Sequence, residues 1–265
     1  MEQPRNSLFK IIHPAIASLT ILLFVIEYYL AYVSEALGLL TALVSTLIIY
    51  GIISILNVSE ALAKALEDIS LLLIYIMLVA GLPWFYLSQT LFTPAVYSLV
   101  IALCLWRLSA RHPQMTLMKL AKHIGIKREN LGRNCLIGLA GIPMGAIEYL
   151  ILKPQPPTPY FDPTYFLQTA AYMLFFVALG EELLFRAMIQ RSLTDFMEPK
   201  AGIFWAALIF AAMHTIWRSI PELFFVFGAG ILLGLVYHKT GNLIGPIIIH
   251  AVNNTMLIAV MPYLA

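Results

Sequence analysis

Charged side chains are scarce in this chain of 265 residues: they make up 11% of it, whereas apolar side chains make up 61%. A soluble domain carries about 25% charged residues. So few charges cannot cover a water-facing surface, which excludes a soluble globular protein, a disordered chain, a coiled coil and a nucleic-acid-binding domain. The composition therefore predicts a protein whose solvent is mostly lipid, with the lipid bilayer as its first partner.

Cysteine is also scarce, and the common hydrolase motifs are missing. The two cysteines, Cys104 and Cys135, fall in or beside apolar stretches and have neither the spacing of a metal site nor that of a disulfide framework. The chain contains no HExxH zinc motif, and Ser192 and Ser219 stand in no nucleophile-elbow pattern. The common signatures of metallohydrolases and serine hydrolases are therefore not present in the sequence.

Apolar runs long enough to cross a bilayer as helices occupy most of the chain. We find nine, at 11–33, 36–57, 69–88, 91–106, 134–152, 165–189, 201–217, 221–239 and 243–262. The fourth is short and contains Pro94, so eight spans with a re-entrant piece is an alternative. The runs lack the period-2 alternation of barrel strands. We therefore predict an all-α, polytopic transmembrane helical bundle of eight to nine spans.

Basic residues near the ends of the spans predict the orientation. Arg5 and Lys10 place the N-terminus in the cytoplasm, so the odd-numbered spans run outward. Seven of the sixteen Lys and Arg residues lie in 107–133, which then also falls on the cytoplasmic side. We interpret this basic loop as a topology signal rather than a nucleic-acid site. The prediction is a multi-pass integral membrane protein with no nucleic-acid partner.

The connecting segments complete the predicted organisation. Segment 58–68 has the pattern of a short amphipathic surface helix, and 153–163 contains five prolines, which exclude a helix and favour an extended loop. We divide the chain into N-terminal transmembrane helices with the basic cytoplasmic loop, 1–133, and a transmembrane segment that carries the candidate site, 134–265.

Ionisable side chains inside the spans are the informative residues, because each costs about 2.5–3.5 kcal/mol at the centre of a membrane helix. Counted from the cytoplasmic ends of three late spans, Glu181, His214 and His250 lie about 9, 12 and 7 residues deep, or about 14, 18 and 11 Å. This common depth predicts one site. Glu27 and Glu148 lie in other spans without an obvious partner.

Helical spacing separates the roles of these side chains. Glu182 and Arg186 are four residues apart and can pair on one helix face, whereas Glu181 points about 100° away and is free for chemistry. His250 and Asn254 share the same spacing and present a ring nitrogen and an amide toward one point. A carboxylate beside a neutral imidazole can take a proton from water, and two donors can hold an oxyanion. These groups suit amide hydrolysis by water.

Three motifs in order, EExxxR, FxxxH and HxxxN, carry a family resemblance. The residues that match them are Glu181, Glu182, Arg186, Phe210, His214, His250 and Asn254. The sequence resembles the CAAX-processing and bacteriocin-processing (CPBP) family of intramembrane proteases, which includes the type II CAAX prenyl endopeptidases, over about 165–260. The resemblance implies a glutamate-type, metal-free site, so we expect no cofactor, and metal dependence is disfavoured. It makes Glu181 the general base assisted by His214, His250 and Asn254 the oxyanion hole, Glu182 and Arg186 supporting residues, and Phe210 a packing residue.

The predicted function is that of an intramembrane endopeptidase, a peptide hydrolase. Its substrate would be a peptide or protein, prenylated or otherwise associated with the membrane. One alternative is a non-catalytic membrane scaffold or bacteriocin-immunity-type protein that keeps the motifs for stability. Another is a proton-coupled transporter, against which the lack of an inverted repeat argues.

Overall fold

The computed structural model describes residues 13–81 and 89–264, and every regular element within them is helical. Ten helices follow one another: α1 Pro14–Val33, α2 Glu35–Ile55, α3 Glu60–Gly81, α4 Gln89–Arg111, α5 Leu117–His123, α6 Leu131–Leu152, α7 163–196, α8 Pro199–Trp217, α9 Ile220–Thr240 and α10 Ile244–Tyr263. The predicted all-α class is confirmed. Arg5, Lys10 and the end of the predicted third span lie outside the described residues.

Prolines and short polar residues set several of the helix boundaries. Pro14, Pro163 and Pro199 stand in the first turns of α1, α7 and α8, where a missing N–H breaks no helical hydrogen bond. Asp162 caps α7, because its Oδ1 accepts a hydrogen bond from the Thr164 amide at 2.8 Å. The proline-rich segment before α7 is not helical, as predicted.

Seven of the helices in the described part of the chain are long and apolar enough to cross a membrane: α1, α2, α4, α6, α8, α9 and α10. Neither α3 nor α7 is among them. The predicted eight to nine spans slightly exceed this number and are compatible with it. The chain is therefore an integral membrane protein with several spans.

Two local predictions change. Helix α3 begins at Glu60 and continues to Gly81, so the predicted short surface helix over 58–68 is wrong. Its charged residues lie at the start of a longer helix, in which Asp68 is fully buried. Helix α4 has 23 residues and includes Pro94 near its start, which favours a full span over the re-entrant alternative.

The helices group into two compact units, each made of two separated stretches. The first unit contains Met1–Trp84 and Met188–Ile231; in it α2 packs on α3, and α1 packs on α8. The second contains Phe85–Ala187 and Leu232–Ala265; in it α10 packs against α6 and α7, and α4 packs against α7. The division of the chain into 1–133 and 134–265, which was drawn from the sequence to delimit the segment with the candidate site, stays a prediction.

Close contact between α6 and α10 organises the second unit. A Cβ at Gly141 would lie 2.8 Å from the backbone nitrogen of Asn253. A Cβ at Gly145 would lie 2.6 Å from Met256 Cβ and would overlap the backbone carbonyl oxygen of Asn253. Only glycine permits this approach of the two backbones. The GxxxG pair thus has the packing role that its spacing indicates.

Candidate active site

Helix α7 carries the two adjacent glutamates in a short α-helical stretch between two π-helical segments. Met173–Ala178 and Leu183–Gln190 are π-helical, whereas Leu179–Glu182 between them is α-helical. A π-helix bonds each N–H to the carbonyl five residues back, and such segments occur frequently at functional sites. Gly180 allows α4 to approach here, because a Cβ at this position would lie 3.1 Å from Tyr97 Cδ1.

Glu182 is the centre of a buried hydrogen-bond network. Its Oε2 accepts a hydrogen bond from Arg186 Nε at 2.9 Å, and both side chains are 0% exposed. Its Oε1 lies 2.9 Å from His250 Nδ1. An ionised carboxylate can only accept hydrogen bonds, so beside an ionised Glu182 the proton of this contact is on His250 Nδ1. This network fixes the position of the imidazole ring and the proton on its Nδ1.

Glu181 is held differently from its neighbour. Its Oε1 accepts a hydrogen bond from the Tyr97 hydroxyl at 2.5 Å. Its Oε2 lies 3.7 Å from His250 Nε2 and, within the described part of the chain, is buried without a hydrogen-bond partner. One carboxylate oxygen is therefore fixed by a phenol, and the other keeps its capacity to accept a proton beside an imidazole nitrogen.

Asn253 and Asn254 form a second polar group on α10. Asn253 Nδ2 donates a hydrogen bond to Asn254 Oδ1 at 3.1 Å and another to Glu148 Oε2 on α6. Asn254 is half-buried, whereas Asn253 and Glu148 are buried. The structure thus gives Glu148, which has no obvious partner in the sequence, an amide partner in α10.

Phe210 and His214 belong to the first unit, at the end of α8. The regular helix ends at Ala212, and His214 Nδ1 lies 2.9 Å from the Phe210 carbonyl oxygen. Because a carbonyl only accepts, Nδ1 carries the proton, and the neutral ring keeps a lone pair on Nε2. The two rings pack with their centroids 4.8 Å apart. His214 is therefore oriented as an acceptor at Nε2.

Comparison with known proteins identifies the stretch that contains these residues. Residues 163–256 match the family model described as "Type II CAAX prenyl endopeptidase Rce1-like". The predicted resemblance is confirmed. All seven residues of the three motifs lie within the matched stretch, whereas Tyr97 and Glu148 lie outside it. The Rce1-like stretch thus includes the two glutamates, Arg186 and both histidines.

One curated relative shares part of this chain. The "Uncharacterized protein YpbD" of Bacillus subtilis (strain 168) is 38% identical over 80 residues, which are 30% of this chain and 38% of that protein. The match thus spans well under half of the relative's length. No solved structure matches the chain at a significant level.

The structure unites some of the sequence-predicted residues and adds others. Glu181, Glu182, Arg186 and His250 form one connected set in the second unit. Asn254 is hydrogen-bonded to Asn253, which follows His250 by three residues on α10. Phe210 and His214 contact each other in the first unit. Sequence reasoning missed Tyr97, which no motif indicates. It also missed the Glu148–Asn253 pair, although a carboxylate one turn beyond a GxxxG pair was a usable signal.

Over residues 13–81 and 89–264, no group of three or more His, Cys, Asp or Glu side chains has an arrangement that could hold a metal ion. Glu181, Glu182 and His250 are instead paired with one another, with Tyr97 and with Arg186. The absence of a cofactor stays a prediction.

Proposed function

We propose that this chain is a glutamate-type intramembrane endopeptidase that hydrolyses a peptide bond with an activated water molecule. The observation that carries the proposal is the difference in hydrogen bonding between the two carboxylate oxygens of Glu181. One of its oxygens is held by Tyr97, while the other is buried beside His250 without a hydrogen-bond partner in the described residues. Its place in an Rce1-like stretch adds support.

Glu181 acts in this proposal as the general base. Its Oε2 takes a proton from water as the water oxygen attacks the carbonyl carbon of the scissile bond, and it later returns that proton to the leaving nitrogen. Tyr97 keeps Oε1 occupied, so that proton transfer uses Oε2. The family resemblance assigns His214 to assist this step, and its Nε2 lone pair suits an acceptor.

His250 and Asn254 are proposed to stabilise the oxyanion that forms on the carbonyl oxygen. Removing one such donor costs about 10²–10³ in kcat in hydrolases. His250 meets this role only with protons on both ring nitrogens, since its Nδ1 already faces Glu182. Glu182 and Arg186 are the supporting residues that hold the ring in place, and Phe210 packs against His214.

The membrane location of the chain bears on the class of substrate. The spans place the chain in the bilayer, so a peptide or protein that is prenylated or otherwise anchored in the membrane reaches it by diffusion in two dimensions. We propose such a substrate, no nucleic-acid partner and a metal-free reaction.

The test is a cleavage assay on prenylated and unprenylated CAAX peptides with purified protein in liposomes. Wild-type protein cleaves the peptide with and without chelator, whereas Glu181→Ala and His214→Ala lose at least about 10³ in kcat. Glu181→Ala is matched by Glu60→Ala, an exposed glutamate at the start of α3, which keeps full activity. Full cleavage by folded Glu181→Ala protein would overturn the mechanism.

A non-catalytic scaffold is the second candidate, favoured by the fully buried Glu182–Arg186 pair. Buried ion pairs serve structure as well as chemistry. For a scaffold, Glu181→Ala leaves the function of the protein intact and only changes at Glu182 or Arg186 unfold it. Loss of cleavage in a Glu181→Ala protein of unchanged thermal stability excludes this candidate.

A further inference from the structure

Glu148 is a buried carboxylate on α6 that neither the family motifs nor the proposed hydrolysis uses. Its exposure is 6%, and the residue lies in a helix apolar enough to span the bilayer. Ionisable residues in such helices are costly, and those that persist mark a functional contact with a definite partner. Its partner in the second unit is Asn253 on α10.

The helix register explains why Glu148 reaches α10. Gly141, Gly145 and Glu148 are four and three residues apart, so they lie on one face of α6. The two glycines allow this face to touch the α10 backbone at Ile249 and Asn253. The next side chain along this face, Glu148, therefore lies against the side-chain amide of Asn253.

The hydrogen bonds at Asn253 have a defined direction. Its NH₂ group has two hydrogens, of which one goes to Glu148 Oε2 and the other to Asn254 Oδ1. Because Glu148 Oε2 is the acceptor of this bond, a flipped Asn253 amide would set its own oxygen against the carboxylate oxygen. With Asn253 fixed in this way, the oxygen of Asn254 is occupied and its Nδ2 is turned away from Asn253. Within the described residues, nothing in the protein bonds to that Nδ2.

We propose that Glu148 is a positioning residue, which acts through Asn253 to turn the Nδ2 hydrogens of Asn254, rather than its Oδ1, toward the reacting carbonyl. This inference rests on the proposed function, in which Asn254 contacts the oxyanion. An amide turned the other way presents an oxygen to the developing negative charge and repels it. The hydrogen-bonded series Glu148–Asn253–Asn254 thus determines whether the site stabilises or opposes the transition state.

The test compares Glu148→Leu with Glu148→Gln in the liposome cleavage assay. Leucine cannot accept from Asn253, so kcat falls about tenfold or more while KM is unchanged, because the affected contact exists only in the transition state. Glutamine offers an oxygen at the same place and keeps kcat within about threefold of the wild type. Thr255→Val removes a buried hydroxyl that bonds Ala251 within α10 and serves as the control with unchanged kcat.

A double-variant comparison separates positioning from a general structural role. In an Asn254→Ala background, Glu148→Leu causes no further loss of kcat, since it acts only through Asn254. Additive losses, or an unchanged kcat in Glu148→Leu, overturn the positioning role. If Glu148→Leu does not fold, Asn253→Leu serves for the same comparison, because it removes the amide that donates to both Glu148 and Asn254. A wild type that cleaves no peptide contradicts the proposed function itself and is thereby distinguished from failure of the positioning role alone.

Discussion

Two ion pairs on the described residues differ mainly in burial. Arg186 and Glu182 are 0% exposed, whereas Lys64 and Asp195 are 37% and 51% exposed, although both pairs have nitrogen–oxygen distances of 2.9 Å. Arg186→Leu leaves a buried carboxylate beside an apolar side chain, and we expect it to cost about 3–5 kcal/mol of stability. Asp195→Asn costs at most about 1 kcal/mol, because water screens the exposed pair. Thermal unfolding in detergent measures both, and equal shifts in Tm would contradict the structural role of Arg186.

The Tyr97 hydroxyl is a second group whose removal is informative. Tyr97→Phe keeps the ring that packs beside Gly180 but frees Glu181 Oε1. We expect kcat to fall about tenfold at unchanged KM, because the carboxylate is no longer held in one orientation. Tyr172→Phe is the matched control, since it removes a hydroxyl bonded to the exposed Gln168. Equal activities of the two variants would show that Tyr97 does not position the base.

At the scale of single helices, the sequence predicted the type of each element better than its internal geometry. Long apolar runs gave α2, α6, α9 and α10 to within a few residues, since the bilayer imposes both helix and length. The π-helical segments that flank Glu181 and Glu182 were missed. The first of them, Met173–Ala178, packs against α4 and α10, and no residue pattern encodes an i→i+5 bond as proline or glycine encodes a break. The start of α3 was missed because its charges resemble a solvated surface helix.

The contact between α6 and α10 gives a prediction about glycine. Gly145→Ala places a methyl group against the Asn253 carbonyl oxygen and Met256 Cβ, whereas nothing lies within 4 Å of a Cβ at Gly51 of α2. We expect Gly145→Ala to lower stability by about 1–3 kcal/mol through overpacking. Gly51→Ala is expected to raise it by about 0.5–1 kcal/mol, because alanine favours the helix. Thermal unfolding checks both, and a stable Gly145→Ala protein would show that the two helices can separate without loss.

For the whole molecule, composition alone predicted the membrane, because a chain with 11% charged residues has only one suitable solvent. The helical class followed from apolar runs that lack the period-2 alternation of barrel strands. The candidate site was predicted in part. The cost of charge in lipid singled out Glu181, Glu182 and Arg186, and the structure joins them to His250. Tyr97 and the Glu148–Asn253 pair depend on which helices pack together. Contacts between distant segments do not follow from the spacing within one helix.

The orientation of the chain rests on Arg5, Lys10 and the basic segment 107–133, and it is open to a direct test. Met115 lies between α4 and α5 and Gln155 lies between α6 and α7, both exposed, so α6 separates them. In a background with Cys104 and Cys135 replaced by alanine, we expect a membrane-impermeant maleimide to label Met115→Cys only in inverted vesicles. Gln155→Cys is expected to react only in intact cells, because basic segments stay in the cytoplasm. The opposite pattern would reverse the predicted orientation, and labelling of both from one side would mean that α6 does not cross the bilayer.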